Sequence, residues 1–167
     1  MIKKPIFIIL VFMLLVLMEA RSFATFEMSL GEGFQTIDFG TMQMNEKKSI
    51  TRKGNYEHRF DFTSDNERTW YFKVQMMRPF TSAQHSIPAE NMQWIVEQVV
   101  NGGGLVSNSV GSPGDFATRP VLIYTSSGSD NTGTTVQIKL KYNLQIPKYQ
   151  AAGSYTSHIR FIMVEVL

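Results

Sequence analysis

The sequence contains no cysteine. That absence excludes disulfides, zinc–thiolate sites, dithiol redox motifs and cysteine nucleophiles together. It also excludes a lipid anchor attached through cysteine at the end of a leader. The three histidines, His58, His85 and His158, are never spaced as H-x-x-x-H, so no metal site is indicated. Serine is plentiful, yet no G-x-S-x-G occurs. The "NGGG" run lacks the Lys-Ser/Thr that a phosphate-binding loop needs after it. Sustained helical spacing of apolar residues is missing as well. Without a catalytic constellation, an enzyme ranks third among the readings, and no cofactor is expected.

The only long hydrophobic run is at the start. Lys3 and Lys4 precede 13 uncharged apolar residues, 6–18, and Ser22 and Ala24 stand one apart just beyond them. A basic start, a short apolar core and small residues at an A-x-A-like site form the secretory signal pattern. Spanning a bilayer takes about 20 apolar residues, more than this run offers. The expected organisation is a signal peptide over 1–24 and one domain over 25–167, with the product periplasmic, extracellular or at the cell surface. An uncleaved anchor is the alternative, whereas cleavage leaves no membrane segment.

Removing 1–24 also removes the basic excess, since Lys3, Lys4 and Arg21 outnumber Glu19 there. The remainder carries equal numbers of acidic and basic residues. Nucleic acid is not expected as a partner, because phosphate binding needs clustered Lys and Arg.

What fills the rest is two-residue alternation. Tyr56, His58, Phe60 and Phe62 alternate with Glu57, Arg59 and Asp61. Trp70, Phe72, Val74 and Met76 alternate with Tyr71, Lys73, Gln75 and Met77. Val136, Ile138, Leu140, Tyr142 and Leu144 alternate with Gln137, Lys139, Lys141, Asn143 and Gln145. Strict alternation predicts strands with one buried face. "TSDNER" reads as a tight hairpin connection, "RPFTSAQHSIPAEN" as a longer crossing and "NGGGLVSNSVGSPGDF" as a flexible loop. "PAENMQWIVEQ" reads as a short helical turn, opened by Pro88, and then a strand. Eight or nine such strands predict an all-β, immunoglobulin-like antiparallel β-sandwich. A closed barrel is the runner-up.

Two ends of the domain stand out. Phe26, Met28 and Leu30 alternate with Glu27 and Ser29, so this segment can add as a strand to its own sheet or to a neighbour's. Self-pairing is the commoner arrangement. At the other end, "FIMVEVL" is apolar on both faces except Glu165, which predicts a last strand, 159–166, that closes the core from inside a sheet. Gly153 suits a bulge or a turn with positive φ. Pro147 stops ladder pairing, and the Tyr155 hydroxyl can cap a loop.

The segment "LQIPKYQAAGSYTSHIRFIMVEV" resembles the closing motif of pilin-like secreted β-sandwich domains, a group that includes spore-coat-U-type and related fimbrial subunits. The matching positions are Pro147, Gln150, Ala151, Ala152, Gly153, Tyr155 and Thr156, followed by the terminal strand with Ile159 and Phe161. "IDFGTM", 37–42, is similar to an Asp-Phe-Gly segment near the start of such domains. The chain departs from the group in lacking the disulfide many members carry. Val166 also stands where chaperone–usher pilins often have Tyr. The resemblance implies a structural or adhesive surface protein whose partners are other copies or related subunits. The alternative class is a monomeric carbohydrate-binding module, with Tyr71 and Tyr149 as exposed rings for surface glycans. A carboxylate group at Asp61, Asp65 and Glu67 reads as a solvated ion-pair surface with Arg59 and Arg68 rather than a calcium site.

Overall fold

A computed structural model describes residues 24–31, 36–50, 52, 53 and 56–165. The signal peptide over 1–24 lies outside these residues except for Ala24, and so does Val166. Among these residues twelve strands run in chain order: β1 Phe26–Leu30, β2 Lys47–Ile50, β3 Arg52–Lys53, β4 Tyr56–Ser64, β5 Trp70–Ser82, β6 His85–Ile87, β7 Met92–Val100, β8 Leu105–Val106, β9 Pro113–Asp115, β10 Val121–Thr125, β11 Val136–Gln145 and β12 Thr156–Glu165. Every pairing between them is antiparallel. One sheet has the order β1-β4-β11-β7-β9, with β2 on β11 and β3 on β4. The other has the order β12-β5-β10-β8, with β6 on β5. The two pack face to face as a β-sandwich.

The alternation sets which side chains lie between the sheets. From the first sheet come Phe60, Phe62, Trp94, Val96, Ile138, Leu140 and Tyr142, all buried. The second contributes Trp70, Phe72, Val74, Met76, Ile123 and Tyr124. Rings carry much of the contact across the gap: Phe62 stacks on Trp70 with centroids 5.1 Å apart, and Phe62 meets Phe72 at 4.7 Å. Such aromatic pairs add about 0.5–1.5 kcal/mol each beyond the area they bury.

Four features depart from the sequence reading. "TSDNER" does not close a hairpin, because β4 and β5 belong to different sheets. The turn carries the chain across the sandwich, which lets both flanking strands bury their aromatic faces toward each other. "RPFTSAQHSIPAEN" is largely strand, for β5 continues to Ser82 and folds back on β6. Pro79 lies within β5, and the facing ladder to β12 shifts register between Thr156 and Ile159, as expected beside a residue without an N–H. "NGGGLVSNSVGSPGDF" contains β8 and β9 rather than being loop throughout.

The fourth departure is the last strand. Among the described residues β12 pairs with β5 alone and lies at an edge of its sheet. Its side chains are half-buried or exposed, not buried on both faces. Ile159, Phe161 and Met163 pack against the core from its inner face, while Ile162 and Val164 are half-buried on the outer face. Apolar residues on both faces therefore mark a partly covered edge here, not a central strand.

Among the described residues no helix is long and apolar enough to cross a membrane. The short 3₁₀ turn Ala89–Asn91 runs straight into β7, as the sequence suggested.

Candidate functional site

Two places in the fold gather the residues singled out from sequence. The first is a corner. β1 pairs at home with β4, in the register Phe26↔Ser64, Met28↔Phe62 and Leu30↔Phe60. Residues directly opposite in a ladder share a face, so this apolar row points to the inner side. Yet Phe26 is 39% exposed and Leu30 38%. The cause lies in the other sheet, which stops at β12. Phe161 of β12 reaches Phe60 of β4 with ring centroids 4.4 Å apart, so β4 is covered from below. β1, one strand further out, is not. Among the described residues no strand pairs with the outer side of β12. The first sheet thus overhangs the second, with apolar side chains on the overhang and an open strand edge beneath it.

The second place is a cleft of about 900 Å³ at the other end of the sandwich. It forms where "IDFGTM" meets the segment 150–155, so the two stretches that carry the family resemblance adjoin in space. Phe39, Met42, Phe80, Leu144, Ile146 and Tyr155 supply its apolar walls. The Tyr155 hydroxyl donates to Ala151 O at 2.6 Å and accepts from Gln150 Nε2 at 2.7 Å, tying the loop that leads into β12. On the facing side, Lys48 Nζ donates to the carbonyls of Phe39 and Thr41. Gly153 is not in the positive-φ region. What it provides is close approach, since a Cβ there would lie 2.5 Å from Ser82 Oγ. Pro147 follows the end of β11 and accepts from Gln150 N at 3.3 Å.

The histidines are dispersed. His85 and His158 are exposed, and His58 is buried between the sheets, hydrogen-bonded through Nδ1 to the Tyr142 hydroxyl. The rings of Phe60 and Phe161 flank it at 4.8 and 5.5 Å. Burial lowers its pKa from 6.5 to about 4, and burial pushes the Tyr142 hydroxyl well up. In the unfolded chain His58 titrates near 6.5. Between these values the unfolded chain binds a proton that the folded protein refuses, so stability is complete above pH 6.5 and falls as the pH drops toward 4. The expected loss over that window is about 3 kcal/mol from this residue. Denaturant unfolding at stepped pH checks it. His58→Leu should flatten the slope.

Sequence reasoning missed Asp130, which is 1% exposed. Its Oδ2 accepts from the Tyr124 hydroxyl at 2.7 Å and from Ser127 N at 2.9 Å, and its Oδ1 accepts from Gly103 N at 2.7 Å. Tyr124 OH accepts in turn from Gly104 N at 2.8 Å. Burial raises the Tyr124 pKa, and the bond to Asp130 raises it further. These contacts pin the glycine-rich run that composition marked as flexible. Gly104 is required there, because a Cβ would fall 2.2 Å from Thr125 O. The Ser127-x-x-Asp130 spacing of a capping box was the available signal.

Asp61 pairs with Arg59 at 3.0 Å, and Lys139 with Glu57 at 2.7 Å, on the outer face of the first sheet. Tyr71 lies half-buried on the outer face of the second, with Lys73 Nζ 5.5 Å from its ring centroid. Tyr149 is 86% exposed on the loop after β11. Among the described residues no group of three or more His, Asp or Glu could hold a metal ion. No family model, curated protein or solved structure matches the chain. The class its fold defines is the antiparallel β-sandwich.

Proposed function

We propose that the protein is an exported structural or adhesive surface protein, a non-catalytic subunit whose partners are other copies of itself or related chains. The observation that carries this reading is the unfinished corner. A sandwich that functions alone gains by covering its apolar rows, at about 25 cal/mol per Å² buried. Here Phe26 and Leu30 remain over one-third exposed, beside a strand that among the described residues has a neighbour on one side only. Such an edge is a template for a strand from another chain. The basic, apolar and small-residue order of 1–24 supports export.

The test expresses the 167-residue sequence, sequences the N-terminus of the exported product, locates it on cells and measures its size distribution. The expected results are a start at Thr25, a cell-surface location and concentration-dependent multimers. A strictly monomeric product retained on a glycan column would favour a carbohydrate-binding module. A product starting at Met1 would remove the case for a cleaved signal.

A further inference from the structure

Acidic and basic residues balance in the domain as a whole, yet the two sheets do not share them evenly. The strands of the first sheet carry both signs, and on its outer face Arg59 pairs with Asp61 and Lys139 with Glu57. The strands of the second sheet contain a single carboxylate, Glu165, at the end of β12 and paired with Arg68. Their cations, Lys73, Arg78 and Arg160, form no ion pair among the described residues. Ladder register brings all three to the outer face. Lys73 is opposite Ile162 and Leu122, next to the row of Tyr71 and Val164. Arg160 is opposite Gln75. Parity alone would send Arg78 inward with Val74 and Met76. A bulge prevents this: between the pairs Gln75–Arg160 and Arg78–His158, β5 advances three residues and β12 two. The extra residue turns Arg78 outward, where it is exposed and donates from Nη2 to His158 Nε2 at 3.4 Å. Arg160 is tied across the sheet: its Nη2 donates to Gln75 Oε1 at 2.7 Å, and Gln75 Nε2 donates to Thr118 O at 2.6 Å. Lys73, Arg160 and Arg78 therefore stand in file, about 7 Å apart along the strands, two residues of extended chain per step.

We propose that this face is a binding surface for an anionic polysaccharide, one bearing carboxylate or sulfate groups, laid along β5 and β12. The inference goes beyond the subunit reading and stands whether or not copies associate. Charge complementarity selects the sign of the occupant. A guanidinium presents paired N–H donors that match the oxygens of a planar or tetrahedral anion, and both arginines are exposed. The file selects its shape. Cations in single file match a chain with charge repeated along its length, whereas lipid headgroups form a two-dimensional field that draws denser basic clusters. The rest of the face suits sugar. Tyr71 offers an aromatic surface and a hydroxyl, and Lys73 Nζ lies 5.5 Å from its ring centroid, so charge and ring are side by side. Ile162, Val164 and Leu122 around them are half-buried, an apolar floor for the carbon faces of sugar rings.

The 167-residue sequence is expressed, and the purified product is titrated against alginate, a polyuronate, and heparin, a sulfated glycan, with dextran as the uncharged control. Saturable binding to alginate or heparin, weakened by salt, and none to dextran is the expected result. Arg160→Gln and Arg78→Gln should each raise the dissociation constant about tenfold. Lys141→Gln removes the same charge from the outer face of the first sheet and should leave it unchanged. Gln75→Ala should weaken binding with the net charge unaltered, because it unties Arg160, and attraction to the protein's overall charge would not register that change. Far-ultraviolet circular dichroism shows which variants are folded. Should R160Q not fold, R78Q on the neighbouring strand gives the same reading. Equal losses in R160Q and K141Q overturn the assignment of the face, and so does failure to bind both polyanions. Tighter binding to phosphatidylglycerol vesicles, or to DNA, than to either glycan overturns it in favour of that partner. A product that binds through Arg160 and Arg78 yet stays strictly monomeric would overturn the subunit reading and leave this one standing. Multimers that bind neither glycan would do the reverse.

Discussion

A chain ending at Arg160 is expected not to fold cooperatively. The deletion removes the part of β12 that pairs with Trp70, Tyr71, Phe72, Lys73 and Val74 of β5. It also uncovers Phe60, Phe72 and His58, whose rings contact Phe161. A domain of this size is stable by about 5–15 kcal/mol, and losing one buried large side chain costs about 2–5 kcal/mol. Phe161 and Met163 go together, along with half of a ladder. Phe161→Ala alone should cost about 3 kcal/mol, the low end for phenylalanine because the ring is only partly buried. Lys148→Ala, exposed in the loop before β12, should change little. Denaturant unfolding of the three variants is the measurement. A truncated chain with a cooperative, near-normal transition would show that the edge strand is dispensable.

Asp130→Ala is expected to destabilise the protein by about 3–5 kcal/mol, as removal of one partner from a buried charged network does. The carboxylate serves three close donors, the hydroxyl of Tyr124 and the N–H groups of Gly103 and Ser127, and more distantly the Ser129 hydroxyl at 3.5 Å. Truncation to a methyl leaves all three without their acceptor. Tyr124→Phe removes one donor and one acceptor and should cost less, about 1–2 kcal/mol. Unfolding curves give the difference. Hydrogen exchange at Gly103 and Ser127 should accelerate in D130A, and unaltered protection there would mean that the glycine-rich run is held by something else.

The strands that define the core were legible because period-two alternation is a local property. His58, Phe60 and Phe62, the Trp70–Met76 set and the Val136–Leu144 set are buried in the alternation read from the chain. The site was less legible. Phe26, Met28 and Leu30 announce a strand, but their exposure depends on where a different sheet ends. No pattern within 26–30 encodes that. The cleft could not be read either, since it exists only where 37–44 and 150–155 adjoin. Asp130 left a trace in its capping spacing, but nothing near it in sequence marks Gly103 as its partner.

The sequence by itself determined that this is an antiparallel β-sandwich, with most of its buried faces and the short turn before Met92, because backbone geometry ties side-chain direction to residue parity. Tertiary structure alone decided which strands are neighbours. It placed β4 and β5 in opposite sheets, set β8 and β9 within a glycine-rich run and left β12 at an edge. An apolar strand gains from burial against any neighbour that fits, so its composition does not say whether a second neighbour exists. That is settled by how many strands each sheet holds, and here the second sheet ends one strand short of the first.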